Sequence, residues 1–288
     1  MPEFAATVGT FDGLHLGHQD LLRQLRDAAV KRGLKTCVIT FEKHPLATLM
    51  PDRCPQLLGY ADFDGIDRID RLQFTRDLAD LTVRQFIRLL RDHYNVRLLL
   101  MGYNNKIGSD GNISHEQYIS IGANEGVEII FAKPYSIADG ICPASSSIRK
   151  ALDNGDIATA NTMLGRRYSI DGTVVRGKQN GRKLGFPTLN LAIDRYRQLP
   201  SSGVYAGYIK AGSGTYNAVI NIGNNPTIAD GNPVTIEAHA IDCTIPEKYG
   251  DRISLEFAER LRDERKYPDL HTLIAAIRAD IEKARGIL

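Results

Sequence analysis

The hydrophobic and polar positions of residues 4–132 alternate between two kinds of pattern. Short runs of consecutive apolar and β-branched residues, typical of buried strands, occupy 4–11, 35–41, 96–102 and 127–132. Longer segments with apolar residues three and four positions apart predict helices at 18–33, 82–94 and 115–126. Strands that alternate with helices favour a parallel sheet covered on both faces, as in a Rossmann-like α/β domain.

A different pattern begins near residue 166. Short β-rich runs separated by Gly, Pro and Asn follow at 168–177, 203–212, 215–223, 234–242 and 252–262. Such closely spaced strands predict a small antiparallel β-barrel. One helical stretch over 146–165 leads into this region, and a C-terminal helix over 270–286 follows it. We therefore expect two domains, comprising residues 1–163 and 164–288.

Composition and charge narrow the possible functions. The chain has 288 residues, of which 43% are hydrophobic and 24% charged, with 36 basic and 34 acidic side chains and a net charge of +2. This balance gives no electrostatic reason to expect a nucleic acid or an anionic membrane as partner. The four cysteines lack metal-ligand spacing, and the N-terminus lacks a signal-peptide pattern. We expect a soluble cytoplasmic protein, and the sequence leaves its oligomeric state open.

The stretch GTFDGLHLGH, residues 9–18, carries the first candidate chemistry. A glycine-rich turn from a strand into a helix exposes backbone N–H groups that favour phosphate. His15 and His18 are three residues apart, so both imidazoles can converge on one point and donate to phosphate oxygens. A helix N-terminus with two solvated histidines is the plain alternative. The HxGH pattern after a strand is typical of nucleotidyltransferases.

The segment SSSIRK, residues 145–150, fits the same chemistry. Its serines can cap a helix or hold the outer phosphates of a nucleotide, and Arg149 falls in the first helical turn. Capping alone is the alternative interpretation.

The segment PTLN, residues 187–190, is the second candidate site. On an extended chain Thr188 and Asn190 share a face, and their oxygens suit Mg²⁺, which fills its remaining positions with water and nucleotide phosphates. A β-turn without a ligand is the alternative. Strand alternation places Thr235, Glu237 and His239 on one face of 234–240, where Glu237 is either a solvated carboxylate or a general base.

The motifs together resemble the family of bifunctional riboflavin kinase/FMN adenylyltransferases, the prokaryotic FAD synthetases. They occur in the family's order over almost the whole chain: GTFDGLHLGH, FEKHP, SSSIRKAL, LGRRYSIDGTVVRGKQNGRKLGFPTLNL, GVYAG, NIGNNPT, EAHAID and LRDERKY. The resemblance implies a multifunctional flavoprotein transferase of FMN and FAD biosynthesis. Its N-terminal HxGH nucleotidyltransferase domain would precede a riboflavin kinase-like barrel with a C-terminal helix.

The resemblance implies a role for each matching residue. In the kinase, riboflavin's terminal hydroxyl attacks the γ-phosphate of ATP, Glu237 is the catalytic base, and Thr188 and Asn190 bind Mg²⁺. The nucleotide loop would comprise Gly177, Lys178, Gly181, Gly185 and Pro187, while Arg262 and Tyr267 would contact the flavin.

In the adenylyltransferase, the phosphate of FMN attacks the α-phosphate of ATP, which gives FAD and pyrophosphate. The catalytic residues implied are His15, His18 and Arg149. The nucleotide-binding residues implied are Gly9, Thr10, Phe11, Asp12, Gly13, Ser145 and Ser146, and the flavin-binding residues are Phe41, His44 and Asn104.

Several positions depart from the family pattern. The flavin-side motif is GYNNKIG, residues 102–108, with Asn104 in place of an aspartate and Ile107 in place of an aromatic residue. Ala144 occupies the position of the first serine in the family's serine-rich motif. Asn225, in NIGNNPT, occupies the position of an arginine. We therefore retain, as an alternative, a riboflavin kinase with a degenerate adenylyltransferase domain. A third, non-enzymatic hypothesis is a flavin- or nucleotide-sensing protein, although Glu237 next to PTLN argues against it.

Overall fold

The computed structural model describes residues 2–42, 63–137, 140–177, 181, 184–224, 234–246 and 248–288. The chain forms two compact units, Met1–Pro143 and Ala144–Leu288. This division falls before the expected boundary at 163/164, because the segment 144–164 packs with the second unit. For example, Asn161 Nδ2 donates to the Phe257 carbonyl, and Asn161 Oδ1 accepts from Tyr168 N. As a functional boundary, 163/164 stays a prediction.

The first unit is an α/β domain, as predicted. Its strands are β1 Phe4–Val8, β2 Lys35–Phe41, β3 Arg68–Leu72, β4 Val96–Met101 and β5 Glu128–Phe131. Its helices are α1 Leu16–Arg32, α2 Arg76–Asp80, α3 Val83–Tyr94 and α4 His115–Asn124. The strands pair in parallel in the order β3-β2-β1-β4-β5.

The central position of β1 follows from its sequence. All of Phe4–Val8 is buried, which a strand needs when helices cover both faces of its sheet. One apolar cluster places Val8 of β1 with Phe86 of α3, and the other places Ala5 with Leu25 of α1. The carboxyl end of β1 therefore lies at the centre of the sheet edge where open α/β sheets bind ligands.

The second unit is a closed antiparallel barrel, again as predicted. Two helices, α5 Ser145–Asp153 and α6 Ile157–Leu164, precede it, and α7 Leu270–Ile287 follows it. The strands are β6 Tyr168–Val175, β7 Leu189–Ile193, β8 Gly203–Ala211, β9 Gly214–Asn224, β10 Val234–Ala240 and β11 Arg252–Arg262. They close in the order β10-β7-β6-β11-β8-β9, and Ile281 and Ala284 of α7 pack against Ala206 and Ile241.

Three local features differ from the sequence predictions. The strand β3 and the short helix α2 were not predicted, because RIDRL is polar and half exposed at the edge of the sheet. The stretch 146–165 is two helices rather than one, separated at Gly155, whose φ of 71° is left-handed. The N-cap of α5 is Ala144, which makes no side-chain cap hydrogen bond, so the serines lie inside the first turn and the alternative in which they cap the helix is not observed.

No helix in the described ranges is both long enough and apolar enough to cross a membrane.

Candidate active sites

The turn from β1 into α1 has an unusual backbone. Phe11 and Leu14 both have positive φ, at 49° and 36°, beside Gly13 at 86°. Such conformations cost free energy in residues that carry a Cβ, and they occur where the surrounding structure enforces them. Here the Phe11 ring is buried, Leu14 N donates to the Phe11 carbonyl, and Gly9 N donates to the Ile39 carbonyl of β2. The turn is therefore held in one shape at the carboxyl edge of the parallel sheet.

His15 is the N-cap of α1. Its Nδ1 accepts a hydrogen bond from the backbone N–H of His18 at 3.3 Å, so a neutral His15 carries its proton on Nε2. The rings of His15 and His18 are stacked, with centroids 3.7 Å apart and planes 19° from parallel. The predicted convergence of the two imidazoles is confirmed.

The environment of His18 lowers its pKa well below the usual value, first through burial and second through the charge of His15. Its Nδ1 is buried without a hydrogen-bond partner among the described residues. The edge of the Phe11 ring also packs on His18, with centroids 5.3 Å apart. His18 is therefore neutral near pH 7, where it can offer a hydrogen bond to a phosphate but no positive charge.

The remaining residues of the turn have different environments. Asp12 is buried at 8% exposure and Thr10 is exposed. A Cβ added at Gly9 would lie 3.2 Å from the Phe11 ring, so the glycine leaves room for that ring. These positions fit a backbone cradle for phosphate.

The segment 102–108, whose contact with flavin stays a prediction, lies beside the end of β1. Asn105, which the sequence analysis did not select, donates from Nδ2 to the Val8 carbonyl at 2.8 Å and fastens this loop to β1. Asn104 is exposed, whereas Ile107 is buried in the core, and its backbone N–H and carbonyl both bond to the Tyr118 hydroxyl. The replacement at 107 therefore affects packing under the loop. Phe41 ends β2 half buried, with the Phe74 ring edge-on at 5.3 Å.

Helix α5 carries Ser145, Ser146 and Arg149 in its first turns and belongs to the second compact unit. Its buried face is Ile148, Ala151 and Leu152. The approach of Ser146 and Arg149 to the histidine pair stays a prediction, and His44 lies outside the described residues.

The barrel contains a cavity of about 350 Å³ at the start of β7. Gly177, Pro187, Thr188 and Asn190 line it, and their roles as nucleotide and metal ligands stay predictions. The loop after β10 contributes lining residues that the sequence analysis missed, namely Cys243, Thr244, Ile245, Lys248 and Tyr249. No motif marks these residues, because they meet the cavity only when the barrel closes.

Glu237 is paired with one of these lining residues across the barrel sheet. In the antiparallel pairing of β10 with β7, Glu237 is directly opposite Asn190. The Thr188 hydroxyl makes a long contact of 3.5 Å with Oε2 of Glu237. Ile236, Ala238 and Ala240 are buried on the opposite face of β10, so the predicted alternation is confirmed. Glu237, Thr188 and Asn190 thus form one cluster of oxygen-bearing side chains, which we name the oxygen cluster.

The oxygen cluster fits a magnesium ion. Mg²⁺ takes one or two protein oxygen ligands and completes its shell with water and substrate phosphates. Within the described ranges no group of three or more His, Cys, Asp and Glu side chains could hold a metal by itself. A Cβ at Gly177 would lie 2.3 Å from Cγ of Asn190, so the backbone there leaves space for that carboxamide and nothing larger. The atoms of the oxygen cluster that could bind the metal are hydroxyl, carboxamide and carboxylate oxygens.

The described residues just before PTLN make close backbone contacts. Phe186 N donates to the Gly181 carbonyl at 2.8 Å, and a Cβ at Gly181 would lie 2.4 Å from the Phe186 carbonyl oxygen. Gly185 has a left-handed φ of 86°. These contacts require glycine at both positions. Lys178 lies outside the described residues.

Arg262, predicted to contact the flavin, is engaged by another side chain. Its Nε and Nη2 donate to the carboxylate of Asp280 on α7, at 2.8–3.1 Å. Its guanidinium also lies 5.7 Å from the centroid of the Tyr267 ring. Arg262 therefore fastens the end of β11 to α7, and its contact with flavin stays a prediction, as does that of Tyr267.

Comparison with known proteins gives matches to both units. A family model described as FAD synthetase matches residues 2–146, and one described as riboflavin kinase matches residues 164–288. The chain is 34% identical to a bifunctional riboflavin kinase/FMN adenylyltransferase from Pseudomonas fluorescens, over 98% of this chain and 92% of that protein. A protein of the same description from Bacillus subtilis is 33% identical, over 96% and 90% of the two chains.

A solved structure is also similar to the whole chain. A crystal structure described as a macrolide-efflux protein from Streptococcus pneumoniae aligns with a TM-score of 0.87 and 28% sequence identity. The alignment covers 99% of this chain and 95% of the other. The two proteins therefore share a fold over nearly their full lengths.

Proposed function

The chain belongs to the bifunctional riboflavin kinase/FMN adenylyltransferase family, and on that premise we propose how its residues divide the two reactions. It is a transferase of flavin cofactor biosynthesis whose substrates are ATP, riboflavin and FMN. The barrel unit phosphorylates riboflavin to FMN, and the α/β unit transfers the AMP moiety of ATP to FMN, which gives FAD and pyrophosphate.

The oxygen cluster is the observation that carries the kinase assignment. Glu237 lies opposite Asn190 and 3.5 Å from the Thr188 hydroxyl, and both of these partners line the 350 Å³ cavity. We assign Thr188 and Asn190 to Mg²⁺, which when bound would neutralise the ATP phosphates. Glu237 accepts the proton of riboflavin's terminal hydroxyl as that oxygen attacks the γ-phosphate. Gly177 and Gly181 would contact the nucleotide.

The histidine pair carries the adenylyltransferase assignment. The phosphate of FMN is already anionic at neutral pH, so its attack on the α-phosphate of ATP needs no general base. His15 offers Nε2–H to a phosphate oxygen, because its Nδ1 is occupied by the backbone of α1. Neutral His18 adds hydrogen bonding, and the positive charge for the leaving pyrophosphate would come from Arg149.

A cytoplasmic location is part of the proposal and rests on the small number and irregular spacing of the cysteines.

A kinase with a degenerate adenylyltransferase unit is the second candidate, motivated by Asn104 and Ile107. Family membership over both halves of the chain favours the two-step enzyme. Incubation of the purified protein with ATP, Mg²⁺ and either riboflavin or FMN distinguishes them when the products are separated by chromatography. We expect FMN and then FAD from riboflavin, and FAD with pyrophosphate from FMN. FMN without FAD would support the kinase alone, and no product would refute the proposal.

A further inference from the structure

His239 lies next to the oxygen cluster and has no role in the proposal above. It is two residues beyond Glu237 on the same face of β10 and is half buried. Its Nδ1 is 2.8 Å from the carbonyl oxygen of Pro187, the residue that immediately precedes Thr188. The edge of its ring also meets the Phe186 ring at 5.8 Å, with the planes 86° apart.

The Pro187 carbonyl is an effective point at which to hold this segment. Proline has no N–H, so its carbonyl is the one backbone group through which a hydrogen bond can hold it. Pro187 lines the 350 Å³ cavity on one side. On the other side it lines a separate cleft of about 580 Å³, and His239 lines this second cleft too. A residue with open space on two sides gains little restraint from packing. The contact with His239 supplies restraint at the peptide bond that joins Pro187 to Thr188.

The geometry defines the tautomer of the ring. A carbonyl oxygen only accepts hydrogen bonds, so Nδ1 of His239 must carry the hydrogen. A neutral ring then has Nε2 unprotonated. The donor position also defines which substitutions can replace histidine. The amide nitrogen of asparagine can occupy the place of Nδ1, whereas that of glutamine corresponds to Nε2 and overshoots the carbonyl.

We propose that His239 is a positioning residue for the kinase reaction, which rests on the proposed function of the oxygen cluster. By holding the Pro187 carbonyl, His239 fixes the Thr188 hydroxyl at the distance from Glu237 and Asn190 that a magnesium–nucleotide complex requires. Residues that do not touch a metal but orient its ligands typically contribute 10–100-fold to metal affinity or activity. His239 touches neither the metal nor the reacting atoms, so its effect is exerted through Pro187.

The test compares His239→Asn, His239→Gln and His239→Ala, with His271→Gln as the matched control on an exposed histidine of α7. Calorimetry measures binding of ADP with and without Mg²⁺, and hydrogen exchange measures protection of the Leu189 and Asn190 amides in metal-free protein. We expect His239→Gln and His239→Ala to weaken Mg-ADP binding roughly 10-fold or more. Both should also speed exchange at these amides, while metal-free ADP binding and FAD formation from FMN change little.

His239→Asn and His271→Gln should behave like the wild type in all of these measurements. Equal Mg-ADP affinity in the Asn and Gln variants would overturn the inference, even if wild-type protein phosphorylates riboflavin normally. Failure of the wild type to phosphorylate riboflavin would instead overturn the proposed function and this inference with it. If the Gln variant does not fold, ¹⁵N correlation spectra of the wild-type protein still test the inference, because they show which ring nitrogen of His239 carries the hydrogen. A hydrogen on Nδ1 of His239 supports the inference, and a neutral ring with hydrogen on Nε2 refutes it.

Discussion

Glu237 of β10 and Asn190 of β7 are directly paired across an antiparallel ladder, and the Thr188 hydroxyl lies 3.5 Å from the Glu237 carboxylate. The pairing follows from the barrel, because Ile236 and Ala238 must face its interior and so turn Glu237 outward. A slip of one residue in this register would bury the carboxylate and expose the core residues. The stability of the barrel therefore maintains the arrangement of the oxygen cluster.

Glu237→Gln should impair riboflavin phosphorylation but not the formation of FAD from FMN. The amide keeps the shape of the side chain but is a far weaker base, and general-base catalysis typically contributes 10²–10⁴-fold to rate. We expect riboflavin phosphorylation to fall by a factor in that range, while FAD formation from FMN continues. Separate assays of the two half-reactions measure this, with Glu259→Gln on the exposed side of β11 as control. A wild-type kinase rate in Glu237→Gln would show that another group accepts the proton.

Gly177→Ala should disturb Asn190 directly. The new Cβ would lie 2.3 Å from Cγ of Asn190, so the carboxamide must move. Misplacement of a group by about 1 Å can cost roughly 10²-fold in rate. We expect a loss of this order in riboflavin phosphorylation, measured by steady-state kinetics. Gly212→Ala is the matched control, because a Cβ there meets no atom within 4 Å. Equal activity in the two variants would contradict a role for Asn190 at this site.

Several features of the fold were predictable from the sequence because they depend on local patterns. Thr82 and Gln85 form the capping box that starts α3, and Gly33 ends α1 with a left-handed φ of 65°. The convergence of His15 and His18 needed only their spacing and the helix start. Strand alternation was enough to put Glu237 on the outer face of β10.

The features that were missed depend on distant contacts or on weak patterns. Strand β3 is polar, and only its pairing with β2 identifies it. The Pro187 contact of His239 and the Asp280 contact of Arg262 join residues far apart in sequence. Ile107 stands where the family has an aromatic residue, and only the folded chain shows that its side chain is buried in the core. The loop after β10 lines the cavity without any recognisable motif.

The ion pair between Arg262 and Asp280 should contribute strongly to the stability of the barrel unit. The two side chains are only 16% and 5% exposed, so removal of one leaves a poorly solvated charge. We expect Asp280→Ala to lower the free energy of unfolding by about 3–5 kcal/mol. The double variant Arg262→Met, Asp280→Leu should show a smaller decrease in the free energy of unfolding, because it leaves no charge unpaired.

Urea unfolding of the full chain measures these differences. The control is Arg285→Gln, which breaks an exposed pair with Asp242, where the side chains are 42% and 65% exposed. Exposed pairs contribute about 0–1 kcal/mol. A loss in Asp280→Ala no larger than in the control would refute the assigned contribution.

His18 should make stability depend on pH. Its pKa in the folded protein lies well below that of an unfolded chain, about 6.5. Between these two values the unfolded state binds a proton that the folded state does not. The free energy of unfolding should therefore fall as pH decreases below about 6.5. His18→Gln should lack this contribution, whereas His93→Gln on the exposed end of α3 should retain it. Identical pH profiles for wild type and His18→Gln would contradict the lowered pKa.

A crystal structure with Mg-ADP and riboflavin bound tests the central claim most directly, since that claim concerns where three side chains meet the substrates. We predict oxygens of Thr188 and Asn190 at about 2.0–2.1 Å from the metal. We also predict a Glu237 carboxylate within about 2.6–3.2 Å of the terminal hydroxyl of riboflavin. A metal held by other residues, with Glu237 turned away from the flavin, would contradict the account.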